Sequence, residues 1–270
     1  MSPSIALAIL LSVVAGPALA QPMLRAELVR RYAASEANQG VAVDATSLYA
    51  VGNSEIGRYD RRTGKKTGAW SGDPKVYPHL NSCAALGAEL VCASSNYPAT
   101  PMTSTVKVFD RAKLTHLRSI SLGHQAGSLT WMLRRDGAWW GGFANYDGRG
   151  GEPGRDHTAT ALVKFDGAWK VLSQWSFPAS VLARFAPRSA SGGAWGDGGL
   201  LYVSGHDLAE IYVLRLPKTG TVLEHLATIA TPIEGQAIAL DPTDHRLIFG
   251  ISRNLKQVVA VRLPTLGSLK

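Results

Sequence analysis

A strand-pair pattern that recurs five times is the feature that most constrains the fold of this chain. Each copy begins with Gly or Ser, has Ala or Thr two positions later, and continues as two strands joined by a turn, as in "QGVAVDATSLYAVGN". The first residues of the copies lie 42, 46, 64 and 43 residues apart: Gly40, Ser82, Ser128, Gly192 and Gly235. Because a four-stranded propeller blade has a period of about 40–50 residues, the sequence predicts an all-β, five-bladed β-propeller.

The ends of the chain indicate how the ring closes. A third strand follows every pair and a fourth follows the first four pairs, but the fifth copy reaches Lys270 before a fourth strand. The segment Met23–Ala34, "MLRAELVRRYAA", precedes the first copy and has the composition of a strand. We expect it to complete the last blade, because closure removes unpaired sheet edges.

The interval between the third and fourth copies is about 20 residues longer than the others. Six blades are the alternative to five. The Gly and Pro residues of "NYDGRGGEPGRDH" favour a long loop, and "ASVLARFAPRSAS" favours a short helix. The extra length therefore favours an insertion in the third blade.

The N-terminus is typical of an exported protein. Residues 1–20 form an uncharged apolar run ending in Ala18-Leu19-Ala20, which predicts a signal peptide cleaved before Gln21, although it has no Lys or Arg. The run is too short for a transmembrane helix, and no second one follows. We expect a single propeller domain over residues 21–270, monomeric, without a membrane span, and periplasmic or secreted.

The formal net charge of +8 lies wholly in residues 21–270. This charge favours anionic substrates or surfaces. The basic residues are scattered, as in Arg61-Arg62 and Arg134-Arg135, and form no long cluster of the kind that nucleic acid binding needs. No nucleic acid partner is expected.

The two cysteines lie in one hairpin, "NSCAALGAELVCAS". A two-residue turn at Gly87-Ala88 suits a type II′ turn and pairs Cys83 with Cys92 at a non-hydrogen-bonded site. Such cysteines are close enough for a disulfide, which an oxidising compartment favours. The alternative is a pair of buried thiols.

The residue before each repeated small residue is expected at the axial mouth of the propeller, where first strands line the axis. These residues are Gln39, Asn81, Gly127, Ser191 and Glu234. Glu234 is the one carboxylate among them, and partial desolvation would raise its pKa toward neutrality, as suits a general acid or base. The alternative is that these side chains satisfy one another and line a water channel.

Loops on the same face supply further candidates. His79 and His206 are expected to transfer protons, and Arg155 and Arg253 to hold a substrate carboxylate. Further substrate-binding candidates are Gln236, His157, Tyr97 and Tyr146. No cofactor or metal is expected, because Ca²⁺ held by Glu234, Asn81 and Gln39 would have a single carboxylate and bind weakly.

One segment carries a family resemblance. "NQGVAVDATSLYAVGNSEIGRYDRRTG" resembles the first blade of the plant and bacterial type glutaminyl cyclotransferases through Gln39-Gly40, Leu48-Tyr49 and the Asp60–Gly64 turn. The resemblance implies a five-bladed propeller, but the family's proton-handling carboxylate corresponds to Asn81-Ser82 here, so it does not extend to aminoacyl cyclisation. The blade pattern is also similar to NHL-like and lactonase-like propellers, and the whole chain looks like secreted bacterial propellers labelled cycloisomerases.

Two functions remain open. The first is an enzyme that acts on a small polar or anionic molecule by proton transfer at the axial mouth, through cyclisation, lactone opening or isomerisation. The second is a non-catalytic scaffold that binds a peptide, glycan or cell-envelope partner. Convergence of Glu234, Asn81, Gln39 and His79 around a pocket favours the first, and a plugged axis with an exposed aromatic patch favours the second.

Overall fold

The computed structural model describes residues 21–267, which form five mainly antiparallel sheets arranged as a five-bladed β-propeller. The first strand of each blade contacts the first strands of both neighbouring blades, so the sheets close into a ring around one axis. The signal peptide predicted for residues 1–20 lies outside the described residues. Within residues 21–267, no helix is long and apolar enough to span a membrane.

Each blade runs outward from the axis in strand order. Two N-terminal strands, β1 (Met23–Arg25) and β2 (Glu27–Ala33), precede the first blade. Blade 1 consists of β3 (Gly40–Val43), β4 (Ser47–Val51), β5 (Glu55–Asp60) and β6 (Lys66–Ser71). Blade 2 consists of β7 (Leu80–Leu86), β8 (Glu89–Ser95), β9 (Ser104–Asp110) and β10 (Thr115–Gly123).

The remaining blades follow the same order. Blade 3 consists of β11 (Ser128–Arg135), β12 (Ala138–Ala144), β13 (Ala161–Phe165) and β14 (Val171–Ser176). Blade 4 consists of β15 (Ala190–Trp195), β16 (Leu200–Gly205), β17 (Glu210–Arg215) and β18 (Glu224–Ala230). Blade 5 consists of β19 (Ala239–Leu240), β20 (Leu247–Ser252), β21 (Gln257–Arg262) and the N-terminal β2.

Burial follows position within the blade. Every residue of β16, a second strand, is buried, because both of its faces pack against neighbouring blades. The outer strand β14 is exposed along most of its length. The sequences of the second and third strands are therefore nearly continuous apolar runs, whereas those of the fourth strands are largely polar.

The predicted closure is confirmed for part of the N-terminal segment. Strand β2 pairs antiparallel with β21 and completes blade 5. Strand β1, which was expected in the same blade, instead pairs parallel with β18 at the outer edge of blade 4. Ala26, between the two strands, is buried and donates its N–H to Ala230 O at 2.9 Å. The segment crosses from one blade edge to the next and so ties two blades together.

The six-blade alternative is wrong. The long third interval contains the loop of residues 145–160, with a short 3-10 helix at His157–Ala159, and one helix, α1 (Ala179–Phe185). Val181 and Phe185 of α1 are buried against the core of blades 3 and 4. The insertion thus consists of the loop and the short helix that its composition predicted.

The predicted hairpin register is confirmed. Cys83 pairs with Cys92 across β7 and β8, and the two form a disulfide. The turn residue Gly87 has φ of 58°, as the first position of a type II′ turn requires. A disulfide is compatible with an oxidising compartment.

Burial on β2 predicts which side chains hold the closure together. Tyr32 is 8% exposed and packs in the core shared with Phe249 and Val258, whereas Val29 is 50% exposed. We expect Tyr32→Ala to lower the free energy of unfolding by about 3 kcal/mol, since it empties a core position. Val29→Ala should change it by less than about 0.5 kcal/mol. Urea denaturation measures both, and equal small effects would contradict a packed role for β2.

Candidate functional site

A cavity of about 360 Å³ opens at the end of the axis where the first strands begin. Its walls come from the loops that enter the first strands and from the loops between second and third strands, as predicted for this face. Nine of the twelve substrate-site and catalytic candidates line it: His79, His206, Gln39, Asn81, Ser191, Gln236, Arg253, Tyr97 and Tyr146.

The floor of the cavity is a ring of uncharged polar side chains, one from each blade. The ring consists of Gln39, Asn81, Thr130, Ser191 and Gln236. In blades 2, 3 and 4 the first strand has a bulge, and the pairing with the second strand skips Asn81, Thr130 and Ser191. Because a bulged residue is left out of the ladder, its side chain can turn away from the sheet, here toward the axis.

Beneath this floor, the first strands of neighbouring blades pack closely through small residues. A Cβ atom added to Gly40 or to Gly192 would collide with Ala237. Ala237 also donates its N–H to Gln39 O at 3.1 Å, which joins blade 5 to blade 1. The recurring Gly and Ala positions are thus required where first strands of different blades approach one another.

Two members of the predicted ring are corrected. Thr130 takes the place expected for Gly127, because the bulge of blade 3 lies further along the strand. Gln236 takes the place expected for Glu234. In blade 5 the consecutive residues Gly235 and Gln236 have φ of 58° and 68°, and this left-handed turn shifts the ring position by two residues.

Glu234 lies in a recess beside the cavity, which it lines together with Asp207 and Asn254. Its carboxylate accepts hydrogen bonds from Ser252 Oγ at 2.7 Å and from the N–H of Asn254 at 3.4 Å. Glu234 therefore lines a different pocket from Asn81 and Gln39, the other two residues considered as Ca²⁺ ligands.

Three arginines from three different loops line the mouth of the cavity. Arg149 belongs to the insertion of blade 3, Arg188 follows α1, and Arg253 follows β20. Among residues 21–267, no Asp or Glu lines this cavity, and none of these arginines forms an ion pair. The mouth is therefore strongly cationic.

One wall is aromatic and contains the first histidine. The ring of His79 lies 5.1 Å from that of Tyr97, which lies 5.0 Å from that of Tyr146. Burial, together with the charges of Arg253 and His206, lowers the pKa of His79 from 6.5 to about 4. Burial also raises the pKa of Tyr146. At neutral pH, His79 is uncharged and Tyr146 keeps its hydroxyl proton.

The second histidine lies between the cavity and the recess. His206 Nδ1 is 2.5 Å from Asp207 Oδ1, and its Nε2 is 3.5 Å from Arg253 Nη1. Burial lowers the pKa of His206, while Asp207 acts in the opposite direction. Because Asp207 accepts the Nδ1 proton, the lone pair of a neutral His206 is on Nε2.

Two candidates lie outside the cavity. Arg155 donates to Gln125 O at 3.2 Å and pairs with Glu152 at 3.4 Å. His157 Nδ1 is 2.9 Å from Asp147 Oδ1. These contacts lie within the insertion of blade 3 and with the loop that joins blade 2 to blade 3. Both side chains therefore hold these loops together and do not line the cavity.

Four polar cavity residues outside the insertion of blade 3 were not predicted from the sequence, namely Asn38, Asn53, Thr130 and Arg188. Arg188 lies in the loop that leads into the first strand of blade 4, as His79 does in blade 2. Asn53 lies in the loop between the second and third strands of blade 1. The same rule that selected the histidines would have found both. Thr130 depends on a bulge, which left no sequence signal.

The similarity to known proteins is confined to the fold. No protein-family model matches the chain, and no curated protein matches its sequence. A chain of the mitotic checkpoint complex has a TM-score of 0.50 at 11% identity, covering 97% of this chain and 99% of that chain. Hydrazine synthase of Kuenenia stuttgartiensis has a TM-score of 0.48 at 10% identity, with 82% of both chains covered. The WD40 repeats of RRP9 have a TM-score of 0.48 at 10% identity, covering 83% and 79%.

The lowered pKa of His79 predicts a pH dependence of stability. The unfolded chain binds a proton at this histidine below pH 6.5, but the folded protein does so only below about pH 4. Stability should therefore fall as the pH falls between these values, by on the order of 3 kcal/mol from this group. His79→Gln should flatten that part of the profile. Urea denaturation from pH 4 to pH 7 tests this, and an unchanged slope would contradict a buried, neutral His79.

Proposed function

We propose that the axial cavity binds a small anionic molecule. The observation that carries this proposal is the set of three arginines around a cavity that no carboxylate lines within residues 21–267. Like charges held near one another raise the energy of the folded protein unless an opposite charge neutralises them. A bound anion would supply that charge and accept paired N–H groups from the guanidinium ions.

Three further features support a small ligand. Gln39, Asn81 and His79 converge around one open cavity, which has the volume of small-molecule sites. The formal net charge of +8 increases the local concentration of anions around the protein. A peptide or envelope scaffold, the second function considered, would be favoured by a plugged axis with an exposed aromatic patch, whereas this end of the axis is an open cavity lined largely by polar side chains.

Anion binding can be tested on the arginines individually. Isothermal titration calorimetry with succinate and inorganic phosphate should show binding that weakens with added salt, because salt screens the charges. Arg149→Ala, Arg188→Ala and Arg253→Ala should each weaken it about tenfold, as expected for the loss of a charged hydrogen bond. Arg62→Ala, an exposed arginine on a turn of blade 1, is the matched control. Absent binding, or equal losses with the control, would overturn the proposal.

We further propose that the bound molecule reacts by proton transfer, in the class of cyclisation, lactone opening or isomerisation. The observation that favours catalysis is the His206–Asp207 pair, in which Asp207 orients the imidazole and leaves Nε2 as a base at the cavity. His79 is a second uncharged imidazole in the same cavity. Glu234, first considered as the base, lies in the adjoining recess.

His206 and Glu234 are the two candidates for the general base, and their variants are expected to differ in kcat. In a screen of lactones and hydroxy acids for turnover, His206→Gln should lower kcat by about 100-fold, the usual size of a general-base contribution. Glu234→Gln should lower kcat much less, because its carboxylate is held by Ser252 outside the cavity. The reverse order would assign the proton transfer to Glu234. Absence of turnover with any compound, together with intact anion binding, would leave a binding protein.

A further inference from the structure

The floor and wall of the axial cavity narrow the class of anion that it would accept, and this inference rests on the proposed anion site. Arginines at the mouth offer only hydrogen-bond donors, which suit the oxygens of an anion. A simple carboxylate or phosphate ion would need no other kind of binding group. The floor beneath offers groups of a different kind.

Two floor residues present oxygen atoms as acceptors. Gln39 directs its Nε2 group to Asn53 Oδ1 at 2.6 Å, and Asn81 Nδ2 donates to Leu129 O at 2.8 Å and to Ser95 Oγ at 3.4 Å. With their N–H groups held in this way, the oxygen of Gln39 is left for the cavity, and the oxygen of Asn81, which also bonds the imidazole of His79, has a second lone pair for it. An acceptor at the floor requires a ligand that carries hydrogen-bond donors, such as hydroxyl groups.

A third floor residue presents an unpartnered donor. Gln236 is 3% exposed, and in the part of the chain that the structure describes its Nε2 has no hydrogen-bond partner. Its backbone is held in the left-handed region, with φ of 68°, which places the side chain at the cavity. A buried amide without a partner is costly, and its soft terminal torsion allows the N–H to turn toward a ligand oxygen.

The aromatic wall gives a surface for a ring. Tyr97 packs between His79 and Tyr146 along one side of the cavity. The electron-rich face of an aromatic side chain attracts the weakly positive C–H groups of a saturated ring. The cavity thus offers cations at its mouth, hydrogen-bond acceptors and a donor at its floor, and an aromatic wall. One class of ligand has a group for each of these.

We propose that the ligand of the axial cavity is an anionic sugar of one or two rings. Its acidic group binds the arginines, its hydroxyl groups bind Gln39, Asn81 and Gln236, and a ring face packs on the aromatic wall. A carboxylate and a phosphate ester supply the same negative oxygens, so sugar acids and sugar phosphates share this chemistry.

The test is calorimetry with four probes: glucuronate, glucose 6-phosphate, glucose and inorganic phosphate. At least one anionic sugar should bind about tenfold more tightly than inorganic phosphate, and glucose should bind most weakly, because it lacks the charge. Binding of only one of the two anionic sugars identifies the acidic group. Gln236→Asn tolerates positive φ but shortens the side chain, so the ratio of anionic-sugar to phosphate affinity should fall about tenfold.

Gln174→Asn, on the exposed outer strand β14, is the matched control and should leave that ratio unchanged. If Gln236→Asn does not fold, Gln39→Met removes a floor acceptor with little change in volume and should lower the same ratio. Phosphate binding as tight as that of both sugars, or equal weakening of both kinds of ligand, would overturn the sugar proposal and leave the anion site standing. No binding of any anion would overturn both.

Discussion

The crowding of five first strands around one axis is the constraint on which the rest of this structure depends. Gly40 and Gly192 approach Ala237 so closely that no side chain would fit on either glycine. Strands packed this tightly can turn larger side chains toward the axis only where they leave the regular ladder. The chain leaves the ladder at bulges in three blades and at a left-handed turn in a fourth. Each of these places a polar side chain in the floor of the cavity. The geometry of closure therefore also builds the floor of the cavity.

The distribution of charge distinguishes this cavity from the rest of the surface. Several arginines elsewhere in the described chain pair with carboxylates, as in the Arg61–Asp241 pair between blades 1 and 5 and the Arg184–Glu210 pair beside α1. At the axial mouth Arg149, Arg188 and Arg253 line a cavity together without such partners. Asp207 and Glu234 lie close by, but in the recess on the other side of His206. His206 and Arg253 line both the cavity and this recess, so the carboxylates lie next to the cavity but not in its lining.

Much of the fold could be predicted because it is local or repetitive. The strand period, the hairpin that joins Cys83 to Cys92, and the loop and helix of the insertion each have a signal within a few dozen residues. The rule that one face carries the entry loops placed His79 and His206 correctly at the cavity. It failed for Glu234, since a repeat alignment assumes a constant offset between strand and ring position. A two-residue shift in blade 5 breaks that assumption.

The sequence by itself determined the number of blades, the closure by an N-terminal strand, the register of the cysteine hairpin and the face that bears the polar loops. It could do so because periodicity and turn chemistry are properties of short segments. Only the tertiary structure decided that β1 joins blade 4, that Thr130 and Gln236 complete the floor, and that three arginines share one carboxylate-free cavity. Those outcomes depend on how separate blades approach one another across the axis, which no segment of the chain encodes alone.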